Sequence, residues 1–97
     1  MQPVSISKEA IEEIKHIFEA KNIPSDYCLR VGVKGANGCS GAVSYLLGFD
    51  QYSEEDERYE IEGIQVVISK KDFMHLIGVK VSFISDAETR GFTFSID

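Results

Sequence analysis

The sequence predicts a single domain with an α+β fold, and three observations support this prediction. The chain has 97 residues and 43 % hydrophobic content, which suits one modest core. Apolar residues recur at helical spacing in one long stretch near the N-terminus. The rest of the chain consists of short apolar runs separated by turn residues, typical of six or seven strands with one brief helical turn. This order of elements predicts mostly antiparallel or mixed sheets in one domain spanning residues 1–97.

The predicted helix corresponds to the stretch "KEAIEEIKHIFEAKN". Ser7 precedes it as a candidate N-cap, because its hydroxyl can accept a hydrogen bond from a free amide of the first turn. Asn22 and Pro24 are expected to end the helix. His16 lies nearly opposite the apolar face and is expected to be exposed to solvent. That apolar face is formed by five residues, Ala10, Ile11, Ile14, Ile17 and Phe18.

Alternating apolar residues predict the strands that follow the helix. "YCLRVGVK" (residues 27–34) is expected to be a half-buried strand with Cys28 packed as a small hydrophobe. "AVSYLLGFD", a short strand around residues 59–61, "IQVVIS", "VKVSFIS" and "GFTFSI" supply the others. "KKDFMHLIG" reads as a short helical turn that ends at Gly78.

Charge and hydropathy exclude several classes of function. The formal net charge is −6, whereas surfaces that bind nucleic acids or anionic membranes are rich in Lys and Arg. Residues 50–62, "DQYSEEDERYEIE", hold seven acidic residues and one basic residue. We interpret them as a solvated loop and strand edge, with a surface for a cation or a basic partner as the alternative. No apolar run is long enough to span a membrane, and no signal-peptide pattern opens the chain, so we expect a cytoplasmic protein.

The segment "GANGCSG", residues 35–41, lies between two predicted strands and places Cys39 among three glycines. Four interpretations are open. A phosphate cradle is disfavoured, because a strand and not a helix follows and the Lys-Ser/Thr ending of a P-loop is missing. A nucleophilic thiol needs a base, for which His75 is the candidate. Cys39 can also ligate iron or an iron–sulfur cluster, with loop amides donating to cluster sulfurs. The fourth interpretation is an ordinary hairpin with an idle thiol.

The stretch "LRVGVKGANGCSGAVSYLLGFD", Leu29 to Asp50, resembles the signature of the A-type iron–sulfur cluster carriers, the HesB-like or IscA-like proteins. The opening "ISKEAIEEIKHIF", the segment "EIEGIQVVISKKDFMHLIGVKVSFI" and the closing "GFTFSID" resemble other parts of the same family. The resemblance implies a HesB-like fold with one long helix and two mixed sheets, usually assembled as a dimer or tetramer.

The resemblance also implies a site. In the family, the cysteine of the Gly-Cys-Ser-Gly loop is a ligand, and here that motif is Gly38, Cys39, Ser40 and Gly41. Two further family ligands lie in a Cys-Gly-Cys-Gly tail after the Gly-Phe segment, and no residue of this sequence matches them. This implies either a member without the tail or a sequence that is part of a longer one. The loop is also about one residue longer than the usual form, and Cys28 matches no family ligand.

These observations predict an iron–sulfur cluster assembly or carrier protein, not an enzyme. It is expected to bind iron or a cluster weakly through Cys39, with an incomplete set of ligands, and to pass it to apo-proteins or assembly-machinery proteins as a homo-oligomer. The alternative is a degenerate family member that acts as an interaction or structural module without metal.

Overall fold

The computed structural model describes residues 3–34, 44–86 and 88–96 of the chain. Two helices and seven strands occupy them. In chain order they are β1 (Val4–Ile6), α1 (Lys8–Ala20), β2 (Tyr27–Lys34), β3 (Ser44–Gln51), β4 (Asp56–Ile61), β5 (Ile64–Ser69), α2 (Phe73–Leu76), β6 (Val79–Ser85) and β7 (Arg90–Ile96). A 3-10 turn, Lys70–Asp72, leads into α2. This order confirms the predicted α+β class.

Helix α1 forms as its sequence predicts. The Ser7 hydroxyl caps it by accepting a 3.2 Å hydrogen bond from the Ala10 amide. The Ser7 amide donates to the Val81 carbonyl at 2.8 Å, which fixes the start of the helix against β6. Ala10, Ile11 and Ile14 are buried, and His16 on the other face is exposed, as expected.

The strands form two mixed sheets. In the three-stranded sheet, of order β1-β6-β7, β1 runs parallel to β6 and β7 runs antiparallel to it. In the four-stranded sheet, of order β3-β2-β5-β4, β2 is parallel to β5, and the two outer pairs are antiparallel. The predicted mixture of antiparallel and parallel pairing is therefore confirmed. β3 and β4 are the edge strands of the larger sheet.

The core lies between α1 and the two sheets. Its fully buried side chains include Ile14 from the helix, Leu29 and Val31 from β2, Ile68 from β5 and Val79 from β6. Burying large aliphatic side chains of this kind contributes roughly 1.5–3 kcal/mol each, so these residues dominate the stability of the fold. β2, one of the two internal strands of the larger sheet, leads into the glycine-rich segment.

Three details of the fold differ from the sequence prediction. A three-residue strand, Val4–Ile6, precedes α1 and was not expected, because three residues are too few to show alternation. The strand expected around residues 59–61 begins earlier, at Asp56. β2 is buried on both faces and not half-buried: Cys28 and Gly32, on the face opposite Leu29 and Val31, are buried as well.

Within the described residues, neither helix is long and apolar enough to cross a membrane.

Candidate functional site

The candidate site is the connection between β2 and β3, whose two strands frame it firmly. They pair antiparallel over eight positions, from Tyr27 opposite Gln51 to Lys34 opposite Ser44. Cys39, Gly38, Ser40 and Gly41 lie outside the described residues, so their predicted role is not examined by the structure. Cys39 is the fifth residue after Lys34 and the fifth before Ser44, at the middle of the connection. The ladder therefore ends with Lys34 and Ser44, at one end of the larger sheet.

An aromatic pair supports the base of this connection. Tyr45, next to Ser44 at the start of β3, stacks on Phe94 of β7, with ring centroids 5.2 Å apart and ring planes 23° apart. Offset stacking of this kind contributes about 0.5–1.5 kcal/mol beyond the burial of area. Because β7 belongs to the other sheet, the pair joins the two sheets at the end of the domain where the connection begins. The last strand, β7, is thereby held close to Ser44, where the candidate connection ends.

The start of α2 lies against the other face of β2. Asp72 accepts a long, 3.5 Å hydrogen bond through Oδ2 from the Val33 amide. The same oxygen lies 3.3 Å from where a Cβ would stand on Gly32, so a larger residue there would crowd the carboxylate. Gly32 thus permits the close approach of Asp72 to the strand. Both faces of the loop-side end of β2 are therefore covered by neighbouring elements.

Cys28, the other cysteine of the sequence, does not join the candidate site. It is 5 % exposed at the second position of β2, as a packed hydrophobe would be, and this confirms its predicted burial. Six residues of extended strand separate it from Lys34, which is about 20 Å at roughly 3.3 Å per residue. The Cys28 thiol is therefore enclosed in the sheet, about 20 Å along β2 from the residue after which that segment begins.

The histidines and carboxylates of the described residues form no alternative metal site. In the described ranges, no group of three or more His, Cys, Asp or Glu side chains could hold a metal ion. His75, proposed as the base for a nucleophilic thiol, is exposed on the short helix α2. The described residues provide no thiol–base pair, because Cys28 lies buried in β2.

A charge cluster that sequence reasoning missed fastens β2, β3 and β4 together. Arg30 of β2 binds Asp56 with both terminal nitrogens, at 2.8 and 2.7 Å, and donates through Nε to Asp50 at 3.0 Å. Ser53 donates to Asp56 Oδ2 through its amide and its hydroxyl, at 2.9 and 3.1 Å. The planar guanidinium matches this two-point geometry, which lysine cannot reproduce. The cluster joins these strands through complementary hydrogen bonds.

The electrostatics of this cluster follow from its contacts. The hydrogen bonds from Arg30 lower the pKa of Asp56 to about 2, and the Ser53 donors act in the same direction against the opposing effect of burial. The pKa of Arg30 is raised, first by its hydrogen bonds with Asp56 and then by the nearby charges. Both groups are therefore charged at neutral pH.

Asp56 also corrects the interpretation of residues 50–62 as a solvated stretch. Most of its acidic residues are exposed, but Asp56 is 4 % exposed and paired with Arg30. The available signal was Arg30, a charged residue inside a mostly apolar strand, together with an acidic run further along the chain. The sequence did not distinguish Asp56 from its acidic neighbours. Asp56 is brought to Arg30 because β2 pairs in parallel with β5, which in turn pairs with β4.

Comparison with known proteins agrees with this architecture. A family profile described as "Iron-sulphur cluster biosynthesis" matches residues 2–96. The iron-binding protein IscA of Photorhabdus laumondii is 37 % identical over 93 residues, which are 95 % of this chain and 83 % of that protein. The iron-sulfur cluster insertion protein ErpA of Saccharophagus degradans is 34 % identical over 83 residues, 84 % of this chain and 68 % of that protein.

A solved structure supports the fold independently. The crystal structure of IscA with a [2Fe-2S] cluster superposes with a TM-score of 0.79 at 22 % sequence identity, covering 96 % of this chain and 84 % of that chain. These findings confirm the resemblance to the A-type carriers and the HesB-like fold. The chain belongs to the iron–sulphur cluster biosynthesis family.

Proposed function

We propose that the protein binds iron or an iron–sulfur cluster through Cys39 and passes it to apo-proteins. The observation that carries this proposal is the position of Cys39 at the middle of a connection whose two strands are paired up to Lys34 and Ser44. Because β2 and β3 are already paired, a thiolate in their connection can contact a partner without further ordering of the sheet. Family membership and relatives named for iron binding and cluster insertion support the same function.

The residues around Cys39 suit this cargo. Gly38 and Gly41 let the backbone approach a bound group closely, and the amides of the segment, with the Ser40 hydroxyl, can donate to cluster sulfurs. Thiolates are the ligands that iron–sulfur clusters prefer. The chain has two cysteines, and Cys28 is buried in β2, which leaves one usable thiolate per chain.

One thiolate per chain has a consequence for assembly. A cluster usually takes four thiolate ligands, so two chains would have to bring two Cys39 residues together. Glutathione or carboxylates would complete the coordination. Carboxylates are harder ligands and hold such clusters less firmly, so binding would be weak and readily reversed. A homo-oligomer with a labile cluster fits a carrier that must release its cargo.

The proposed function also implies a cellular location and a set of partner proteins. Recipients would be apo iron–sulfur proteins or proteins of the assembly machinery, and the reducing cytoplasm would keep Cys39 as a free thiol. The role is that of a carrier and not of a catalyst. A nucleophilic enzyme would need a base beside Cys39, and the candidate base His75 is exposed on α2.

Anaerobic reconstitution with iron and sulfide tests the proposal. The wild type should develop the visible absorption bands of a bound cluster. Cys39→Ala should lose them, and Cys28→Ala, a matched removal of the buried thiol, should keep most of them. Bands that persist in Cys39→Ala would contradict the proposed ligand.

A second function is favoured by one observation, the burial of Cys28 far from the candidate site. With a single usable thiol, the chain could be a family member that acts as an interaction or structural module without metal. Reconstitution decides between the two functions, because this module would take up neither iron nor sulfide, whether alone or as an oligomer.

A further inference from the structure

The edge strand β3 has a free edge without the usual protection against strand pairing. Among the described strands, only β2 pairs with it, and that ladder continues over eight positions without a bulge. Its sequence, SYLLGFDQ, contains no proline or lysine, and its one charged residue, Asp50, is paired with Arg30. The other edge strand of this sheet, β4, has four charged residues in DERYEI. Because charges, prolines and bulges are what protect exposed edges, the free edge of β3 is suited to the addition of another strand.

A gap beside Gly48 leaves room for such a strand. Among the described residues, a Cβ on Gly48 would meet nothing within 4 Å. Gly48 is opposite Arg30 in the β2–β3 ladder, on the face of the sheet that points away from the core, which we call the outer face. Neighbouring strands lie about 5 Å apart, so a side chain of an added strand has room to lie across Gly48 toward β2.

An apolar groove follows β3 on the inner face, the face that packs on the core. The groove has a volume of about 370 Å³ and lies between β3, helix α1 and β7. Its lining includes Leu47 and Phe49 of β3, Ile17 and the C-cap Lys21 of α1, and Phe92 of β7. A mostly apolar groove of this size accepts a large apolar side chain.

A second groove, of about 230 Å³, follows β3 on the outer face and is lined by Arg30, Asp50 and Asp72. The Arg30 donors are engaged by carboxylates and a main-chain carbonyl. Within the described chain, Asp72 accepts one hydrogen bond, the long one from a β2 amide. Carboxylate oxygens accept more than one bond each, so this groove favours a side chain that donates. Lys34 and Lys71 lie near these carboxylates in the sequence, and a neutral donor therefore suffices.

The two grooves together define the occupant. Side chains of a strand alternate between the faces of its sheet, so a single added strand would fill both grooves. We infer that the free edge of β3 binds an extended segment of a partner protein as an additional strand of the larger sheet. In this segment, large apolar side chains alternate with side chains that donate hydrogen bonds. Main-chain bonds to β3 supply affinity, and the grooves select the sequence.

A second copy of this chain is the other source of such a strand. Two antiparallel β3 strands related by a twofold axis begin at opposite ends of the pair, which would put the two Ser44 residues at opposite ends. The proposed shared cluster instead needs the two Cys39 residues together, and Cys39 is five residues before Ser44. In preferring a partner protein to a second copy, the inference rests on the proposed function.

Amide hydrogen exchange on the metal-free protein tests the free edge of β3 directly. The probe is a capped peptide as long as β3, eight residues, in which isoleucine alternates with asparagine. Alternate amides of β3 point away from β2, and the bound peptide should slow their exchange about tenfold or more. The same peptide N-methylated at all its amides keeps the side chains but cannot donate to β3, and it should give no protection.

Gly48→Val should block the added strand without harming the fold. Because a Cβ has open space there within the described structure, the variant should keep the wild-type urea midpoint. Its side chain would occupy the gap, which should weaken the Kd for the peptide about tenfold or more. Gly91→Val on β7 is the matched control, since a Cβ at Gly91 also meets no described atom within 4 Å. It should leave the Kd within about twofold of the wild-type value.

The other outcomes are equally decisive. Unprotected β3 amides, equal protection by the N-methylated peptide, or unchanged binding by Gly48→Val would overturn the inference. A wild-type oligomer that Gly48→Val dissociates on gel filtration would also overturn it, because β3 would then join copies of this chain. If the peptide protects β3 as expected but the protein takes up no iron or sulfide, the added strand stands and the proposed function fails.

Discussion

Tyr45 and Phe94 stack at the base of the candidate site, with ring centroids 5.2 Å apart. Tyr45 is the second residue of β3, an edge strand of the four-stranded sheet, and Phe94 lies near the end of β7 in the three-stranded sheet. The contact therefore joins the two sheets where β2 and β3 leave the core. Through it, the packing of the two sheets is linked to the end of the β2–β3 ladder at Lys34 and Ser44.

A double-mutant cycle on this pair should show direct coupling. We expect Tyr45→Leu and Phe94→Leu together to cost less than the sum of the single changes in the free energy of unfolding, by about 0.5–1.5 kcal/mol. Urea unfolding of the four proteins measures the difference. Tyr45→Leu combined with Phe83→Leu, whose ring contacts Phe92 instead, should be additive within about 0.5 kcal/mol. Additivity of the Tyr45 and Phe94 changes would show that the stacking contributes nothing specific.

Asp56→Asn should destabilise the fold far more than Asp50→Asn. Asp56 is buried and accepts four hydrogen bonds from Arg30 and Ser53, so its loss leaves a partly buried guanidinium without its main partner. We expect a loss of about 2–3 kcal/mol in the free energy of unfolding. Asp50 has a 59 % exposed side chain, and its ion pair should contribute less than about 1 kcal/mol. Equal urea midpoints for the two variants would contradict this assignment.

Acid should remove the contribution of Asp56. Its folded pKa is about 2, below the ordinary value of 3.8, because Arg30 stabilises the charged form. The stability that it supplies is therefore fully present above the unfolded pKa and is lost as the pH falls through about 4 toward 2. Urea unfolding at a series of pH values should show the gap between wild type and Asp56→Asn narrowing over that range. If the difference in the free energy of unfolding between the two proteins stays constant with pH, the charge of Asp56 does not contribute to stability.

The fold could be predicted from local patterns wherever those patterns were long. The face of α1 containing Ile11 and Ile14, and the alternation of β2, β5 and β6, indicated the element types directly. β1 could not be recognised, because its pairing with β6, which places Val4 opposite Val79, is a tertiary contact that three residues cannot signal. The other face of β2 could not be predicted either, because the approach of Asp72 to Gly32 and the pairing of Asp56 with Arg30 are contacts with distant segments.

The candidate site was predictable only in part. The residue types in "GANGCSG" were compatible with four interpretations: a phosphate cradle, a nucleophilic thiol, a metal ligand and an ordinary turn. The choice of the metal ligand came from the family resemblance. The burial of Cys28 followed from its place in a strand and is confirmed. The Arg30–Asp56 pair was missed, since the register that joins β2 to β5 and β4 is set by the packed core and not by the acidic residues themselves.

Thiol labelling should distinguish the two cysteines. Cys28 is 5 % exposed within a central strand, so its reaction requires the sheet to open. We expect an aromatic disulfide reagent to modify one thiol rapidly in the native protein, and this phase to disappear in Cys39→Ala. Cys28→Ala should keep the rapid phase and lose the slow one. Rapid labelling of Cys28 would contradict the observed strand packing.

Iron and sulfide content across a gel-filtration profile, measured after anaerobic reconstitution, tests the central claim most directly. Because each chain offers one usable thiolate, a cluster should appear in a dimeric or larger fraction, be lost readily to a chelator, and be absent in Cys39→Ala. Cys28→Ala should give the same profile as the wild type. A stable cluster in the monomer fraction, or one that survives Cys39→Ala, would contradict the account.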